Sequence, residues 1–303
     1  MRQVTGDRLT VGLVGAGRWG RRLAAAFAKH CEVSAFCHQG RSTTRAWIEN
    51  EFPGALVTDR LPDLLEDDTI DAIIIATPIS THAEIAAMAL NAGKHAFVEK
   101  PIGTSTLECA ALVSLADSQG LALFTGHVFV YDPVFDELKR LTQDNPITRV
   151  KTSWHKYGTF DEDLVWNLMS HELAIGIGLF GRRPDSGRIL YERGFVSDSD
   201  ASAAAFSFGC DVGDLLIEID RCATLTAKSV TAVTESGATF LWSDSMLYEC
   251  KTNGPNLIFT RPDVQPLDRE VASFERQVRL GERPLTDGEF GMEVVSAIEL
   301  LRS

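Results

Sequence analysis

The chain has 303 residues, 45% of them apolar and 23% charged, the profile of a globular protein with material for a sizeable core. Chains beyond roughly 250 residues tend to divide, so two domains are expected. The formal charge of -13, from 29 Lys+Arg against 42 Asp+Glu, argues against non-specific binding to nucleic acid or to an anionic membrane.

A phosphorylated ligand stays open, because glycine-loop amides and a helix N-terminus hold phosphate whatever the global charge. No run approaches the roughly 20 apolar residues of a membrane span. Arg21-Arg22 ahead of Leu23–Ala28 superficially resembles a twin-arginine signal, but the run is short and ends at Lys29-His30, inside a better helix pattern. The six cysteines form no CxxC pair and no zinc spacing, so reduced thiols, no metal and a cytoplasmic location are expected.

In chain order, the first half alternates. Leu9 to Val14 reads as a strand, Arg18 to Lys29 as a helix, Val33 to Cys37 as a strand and Thr43 to Glu51 as a helix stopped by Pro53-Gly54. A short helical turn follows at Pro62 to Glu66. Ile70 to Ala76 has the near-continuous β-branched character of a buried parallel strand. A helix over Ser80 to Ala92, a strand over His95 to Glu99, a helix over Ser105 to Gln119 and a strand over Leu121 to Thr125 complete the alternation. Such alternation predicts a doubly wound parallel sheet.

After about residue 125 the pattern changes. Asp132 to Leu141 and Leu164 to Phe180 read as helices. Strand-like runs follow at Arg149–Trp154, Ile189–Val196, Ala201–Phe208, Leu215–Asp220, Ala227–Thr234, Ala238–Trp242 and Met246–Cys250, with Gly237 and Gly254-Pro255 as turns. Arg269–Leu280 and Phe290–Leu301 close the chain as helices. Strands in succession predict an antiparallel or mixed sheet. The expected division is a dinucleotide-binding α/β domain over residues 1–126 and an α+β domain over 127–303, whose last helices can pack back on the first domain.

Gly15-Ala16-Gly17-Arg18-Trp19-Gly20 is a G-x-G-x-x-G between a predicted strand and a predicted helix. In that setting Gly15 permits the tight turn, Gly17 the approach of a pyrophosphate, and Gly20 close helix–strand packing. An acid at the end of the second strand would bind the adenosine ribose. Here the chain reads His38-Gln39-Gly40-Arg41-Ser42 with no acid, and Arg41, Ser42 and His38 are candidates for a 2′-phosphate. NADP(H) is therefore preferred, with NAD(H) possible; the plainer alternative makes Arg41 a solvated loop arginine.

Thr77-Pro78 with His82, and Glu99-Lys100-Pro101, lie at the carboxyl ends of predicted strands, where such sheets bind ligands. These segments, the glycine loop, Ala92–His95, Gly126-His127 with Tyr131 and Pro133, Trp166-Asn167 with His171, and Pro284–Gly288 together resemble the Gfo/Idh/MocA oxidoreductases, over nearly the whole chain. The resemblance implies a Rossmann domain and an open, mostly antiparallel second sheet. That sheet's inner face covers the nicotinamide, and its outer face builds dimers or tetramers. It also implies that the Lys100 amine contacts the reacting oxygen.

Asn167 and His171 stand four apart on a predicted helix and so share a face. The resemblance would put an acid at 167. Asparagine orients a hydroxyl or an imidazole but exchanges no proton near neutral pH. The reading is His171 as general acid/base, Lys100 as electrophile and Asn167 as orienter. Glu99 and His127 are candidates for the cofactor site, His127 either touching the nicotinamide or simply hydrogen-bonding the backbone, and Tyr157 either lines the substrate pocket or packs in the sheet. The expected activity is hydride transfer to or from a sugar, nucleotide sugar or cyclitol. Asp132, where the nucleotide-sugar subgroup usually has Asn, departs from that subgroup. The competing reading is a dinucleotide-binding sensor that has lost turnover, favoured by Asn167.

Overall fold

The computed structural model describes residues 8–40, 42–158, 163–195 and 201–302. The chain divides into two compact units. The first runs to His127 and takes in Leu267–Val295; the second is Val128–Pro266 with the residues from Ser296 onward.

The first unit holds a six-stranded parallel sheet in the order β3-β2-β1-β4-β5-β6. In chain order its elements are β1 (Thr10–Val14), α1 (Arg18–His30), β2 (Glu32–Cys37), α2 (Ser42–Glu51), β3 (Leu56–Thr58), α3 (Pro62–Leu65), β4 (Ala72–Ile75), α4 (His82–Asn91), β5 (His95–Glu99), α5 (Thr106–Gln119) and β6 (Leu123–Gly126). β4 and β5 are buried at every position, which is why β4 and the middle of β5 run apolar without alternation. The three-residue edge strand β3, next to the Pro53-Gly54 break, is too short for a periodicity to show and was not expected from the sequence.

An aromatic cluster anchors this unit. Phe97 on β5 stacks on Phe124 of β6 at 5.1 Å and meets Phe27 of α1 edge-on at 5.3 Å. Phe274, from the late helix α8 described below, touches all three rings at 5.6–6.0 Å. Lys94, only 1% exposed, donates to the carbonyls of Asp67 and Ile70 and pins the start of β5.

The second unit begins with α6 (Pro133–Thr142), β7 (Ile147–Tyr157) and α7 (Ser170–Phe180). It continues with β8 (Ser186–Arg193), β9 (Ala203–Cys210), β10 (Gly213–Asp220), β11 (Cys222–Thr234), β12 (Thr239–Ser243), β13 (Met246–Lys251) and β14 (Gly254–Thr260). The eight strands form one sheet in the order β14-β13-β12-β11-β7-β10-β9-β8, antiparallel except for the β7–β10 pair. On β7, Val150 and Thr152 are fully buried while the alternating Arg149 and Lys151 are exposed, so one face of the sheet is covered. Helices α8 (Pro266–Leu280) and α9 (Gly288–Glu299) follow, and residues Leu267–Val295 belong to the first unit.

Two expectations are corrected here. Gly254-Pro255 is not a turn: the chain reverses at Thr252-Asn253, and both residues open the edge strand β14, where a missing proline N–H is tolerated. Leu164 to Phe180 is not one regular helix, since Val165–Met169 form a wider π turn in which the Ser170 N–H reaches back to the Val165 carbonyl. Among the described residues no helix is long and apolar enough to cross a membrane.

Ser105 starts α5 with a capping box: its side chain accepts from the Glu108 N–H, and Glu108 accepts from the Ser105 N–H. Replacing Ser105 by Ala removes one half of that exchange and should cost about 1 kcal/mol. Thermal unfolding should report it as a midpoint about 2–4 °C lower.

Candidate active site

The glycine loop joins β1 to α1. Gly15 has φ +96°, and a Cβ there would lie 2.5 Å from the Ala76 carbonyl oxygen. A Cβ on Gly20 would stand 1.9 Å from the Gly15 oxygen, so the helix approaches the loop as only glycine allows. Beside Gly17, by contrast, a Cβ would meet nothing within 4 Å. Gly17 is the N-cap of α1, no side chain caps the helix and its first turn carries no acid, so the terminal amides and the positive end of the helix dipole suit a pyrophosphate. Arg18 is exposed at this terminus. The residues fit the phosphates of a dinucleotide.

At the end of β2, His38 Nδ1 accepts the Gly40 N–H at 2.9 Å. Burial, with the Arg45 charge second, lowers the pKa of His38, so it braces its loop as neutral imidazole rather than presenting a cation. Arg41 lies outside the described residues. Ser42 opens α2, which has no acid in its first turn. Arg21 reaches the same place: its guanidinium stacks on Trp47 at 4.7 Å and donates to the Thr44 hydroxyl at 3.3 Å. Sequence reasoning passed over Arg21 because it sits in a helix three residues from Arg18, and only the fold carries it to α2.

The ends of β4 and β5 are tied together. His82, 1% exposed, sets Nδ1 2.8 Å from the Pro101 carbonyl and Nε2 2.8 Å from the Thr77 carbonyl. Burial lowers its pKa, against the two carbonyl contacts that raise it. With both ring nitrogens at hydrogen-bond distance from backbone carbonyls, His82 braces the ends of β4 and β5. Thr77 and Pro78 share the Thr81 hydroxyl, which reaches the Thr77 hydroxyl and the Pro78 carbonyl, each at 2.8 Å.

Glu99 is likewise buried. Its carboxylate accepts from the Trp19 indole N–H and, at 3.2 Å, from the Lys100 backbone N–H. Burial raises the Glu99 pKa to about 7, against the lowering effects of Trp19 and Lys100. Lys100 is half-buried. Its charge also lowers the pKa of His127, which burial and that charge push to about 3. His127 is 1% exposed, edge-on to Phe290 at 5.7 Å, and remains neutral.

In the second unit, His171 opens α7 and packs edge-on against Phe129 at 5.1 Å and Trp154 at 5.4 Å. The same two rings receive the Lys228 ammonium, 4.1 Å over Phe129 and 4.0 Å over Trp154. Lys228 also pairs with Glu172, which is fully buried. Next to it, Arg261 bonds Asp132 at 2.6 Å, and Asp132 accepts from the Val134 N–H as N-cap of α6. The aspartate that departs from the nucleotide-sugar pattern is thus a cap and half of an ion pair. A cavity of about 310 Å³ is lined by Phe129, Trp154, Trp242, Lys228, Asp132 and Arg261, among others.

Asn167, half-buried, lies inside the π turn, so its relation to His171 is not the regular i,i+4 one expected. Tyr157 stands 71% exposed at the end of β7. Lys228 and Glu172 went unnoticed in the sequence because they are 56 residues apart and nothing local pairs them.

Residues 9–127 match the family model described as "Oxidoreductase family, NAD-binding Rossmann fold", GFO_IDH_MocA. The chain is 30% identical over 137 residues to the UDP-N-acetylglucosamine 3-dehydrogenase of Acidithiobacillus ferrooxidans, covering 45% of this chain and 44% of that protein. It is 30% identical over 170 residues to the NADP(+) scyllo-inositol 2-dehydrogenase of Bacillus subtilis, 53% of this chain and 51% of that one. The chain spans about half the length of the curated relatives it matches. The crystal structure of the Acidithiobacillus enzyme superposes with a TM-score of 0.88 over 97% of this chain and 96% of that one, at 22% identity, a likeness of fold.

The buried Lys228–Glu172 pair gives a stability test. Glu172→Ala would strand a largely buried ammonium, so a loss of about 3–5 kcal/mol is expected in denaturant unfolding. Glu282→Ala, which removes the exposed partner of Arg276, should change stability by less than about 1 kcal/mol.

Proposed function

We propose that this chain, a member of the Gfo/Idh/MocA oxidoreductase family with its NAD-binding Rossmann fold, moves hydride between a nicotinamide cofactor and a secondary alcohol or ketone of a carbohydrate-type substrate. The observation that carries the reading is the cavity beside His171. Three aromatic rings line it, and each of its two cations is paired with a carboxylate. Ring faces suit the C–H faces of a sugar or cyclitol, and paired charges offer donors and acceptors for hydroxyls without demanding a net charge. The names of the relatives, a nucleotide-sugar dehydrogenase and an inositol dehydrogenase, point to the same class.

Bound nicotinamide would supply or accept the hydride. Lys100 binds the substrate oxygen and stabilises the charge that grows on it. His171 takes the hydroxyl proton in oxidation and returns it in reduction. Asn167 orients hydroxyl or imidazole through its amide. NADP(H) is the preferred cofactor. The absence of an acid after β2, with Arg41, Ser42 and the Arg21–Thr44 contact nearby, supports a 2′-phosphate there. Exposed Ile189, Leu190 and Leu257 on the strands of the second unit support a homodimer or homotetramer built on that sheet. A second reading, a dinucleotide-binding sensor without turnover, is favoured by Asn167 standing where an acid would exchange protons.

The test is a screen of ketosugars with NADPH, read at the nicotinamide absorbance. Lys100→Met and His171→Ala should each lower kcat about a hundredfold or more while cofactor affinity stays within a few-fold. Turnover retained by Lys100→Met would remove its role. NADPH binding with no turnover on any substrate would leave the sensor. Arg41→Ala should weaken NADPH far more than NADH, and equal weakening would exclude the phosphate assignment.

A further inference from the structure

Glu270 on α8 is fully buried, and neither of its carboxyl oxygens has a hydrogen-bond partner among the described residues. Its helix packs on the strand that carries Glu99. Phe274 lies one helical turn after Glu270 and packs on Phe97 at 5.6 Å, and Phe97 lies two residues before Glu99 on the same face of β5. Glu270 thus stands one turn before a ring that packs two residues short of Glu99, and the Glu99 charge acts on it. Glu99 Oε1 lies 3.1 Å from where a Gly126 Cβ would stand.

We propose that Glu270 is a positioning residue which, as the neutral acid, donates a hydrogen bond to the Glu99 carboxylate and so completes the strut that links Trp19, Glu99 and the Lys100 backbone. A buried carboxylate without donors is costly, whereas a carboxylic acid beside a carboxylate supplies the missing donor. Burial and the Glu99 charge both raise the Glu270 pKa well above the ordinary carboxylate range. The other titratable groups here are Lys100, His82 and His127, and the Lys100 ammonium acts on Glu99 and on both histidines. Two carboxyls with one proton present a single negative charge behind Lys100, which favours its ammonium form. Trp19 belongs to the glycine loop, so the strut also fixes the cofactor side.

The inference uses the dinucleotide reading of the first unit for its consequence, while its central claim is tested without cofactor. Infrared spectra of the wild-type protein near neutral pH should show the carbonyl stretch of a protonated, buried carboxylic acid. Glu270→Gln should reduce that band by one carboxylic acid, and the exposed control Glu282→Gln should leave it unchanged. Because the Glu270 pKa is raised well above its ordinary 4.5, its contribution to stability falls as pH rises from about 4.5, and the midpoint advantage of Glu270→Gln over wild type should grow with pH. In NADPH titrations Glu270→Gln, which retains an N–H donor, should bind within about threefold of wild type, and Glu270→Leu about tenfold more weakly. A band unchanged by Glu270→Gln, a pH-independent stability difference, or equal weakening by the two variants would each overturn the proposal. If Glu270→Leu does not fold, the infrared and pH measurements on Glu270→Gln still decide it. If NADPH does not bind at all, the cofactor reading fails and the infrared result stands by itself.

Discussion

One buried carboxylate organises the first unit. Glu99 takes the Trp19 indole N–H from the helix that follows the glycine loop and the Lys100 N–H from the end of its own strand. The start of the helix after the glycine loop and the candidate electrophile are thereby fixed to the two oxygens of one carboxylate, Trp19 to Oε1 and the Lys100 N–H to Oε2. A buried acid needs such donors, because without them desolvation would drive it to the neutral form. His82 adds a second tie between the ends of β4 and β5, and the Phe27–Phe97–Phe124–Phe274 cluster holds the layers on which both ties rest.

The second unit meets the same difficulty with the opposite sign. Lys228 is largely withdrawn from water, and two aromatic faces and the buried Glu172 carboxylate replace its hydration. That arrangement sets Phe129 and Trp154 in place, and His171 rests on the same two rings. The π turn ahead of His171 re-aims Asn167 and is a form of helix irregularity that recurs at functional sites.

The alternation of buried strands and helices in the first half was legible in sequence because most strands carry a run of consecutive apolar residues. His95–Glu99 was bounded to the residue. The second sheet was legible as a run of strands, but β14 was hidden by Gly254-Pro255, whose turn-forming chemistry is equally compatible with an edge strand. Of the site, the glycine loop, Lys100 and His171 carry local signals. Glu270, Lys228 and Arg261 do not, since each acquires its meaning from a partner more than fifty residues away. His82 was read as a cofactor ligand because its place at a strand end is right for one. Only the positions of the Thr77 and Pro101 carbonyls show that its ring is already engaged.

Glu99 joins the helix after the glycine loop to the strand end at Lys100. Calorimetric titration of NADPH into wild-type protein and into Trp19→Phe, which keeps an aromatic ring and lacks the indole donor, addresses that link directly. Saturable binding near one cofactor per chain, weakened about tenfold by the substitution, is the predicted result, since a hydrogen bond to a buried charged group contributes about 1.5–3 kcal/mol. No binding by the wild-type protein, or the same affinity in both proteins, would contradict it.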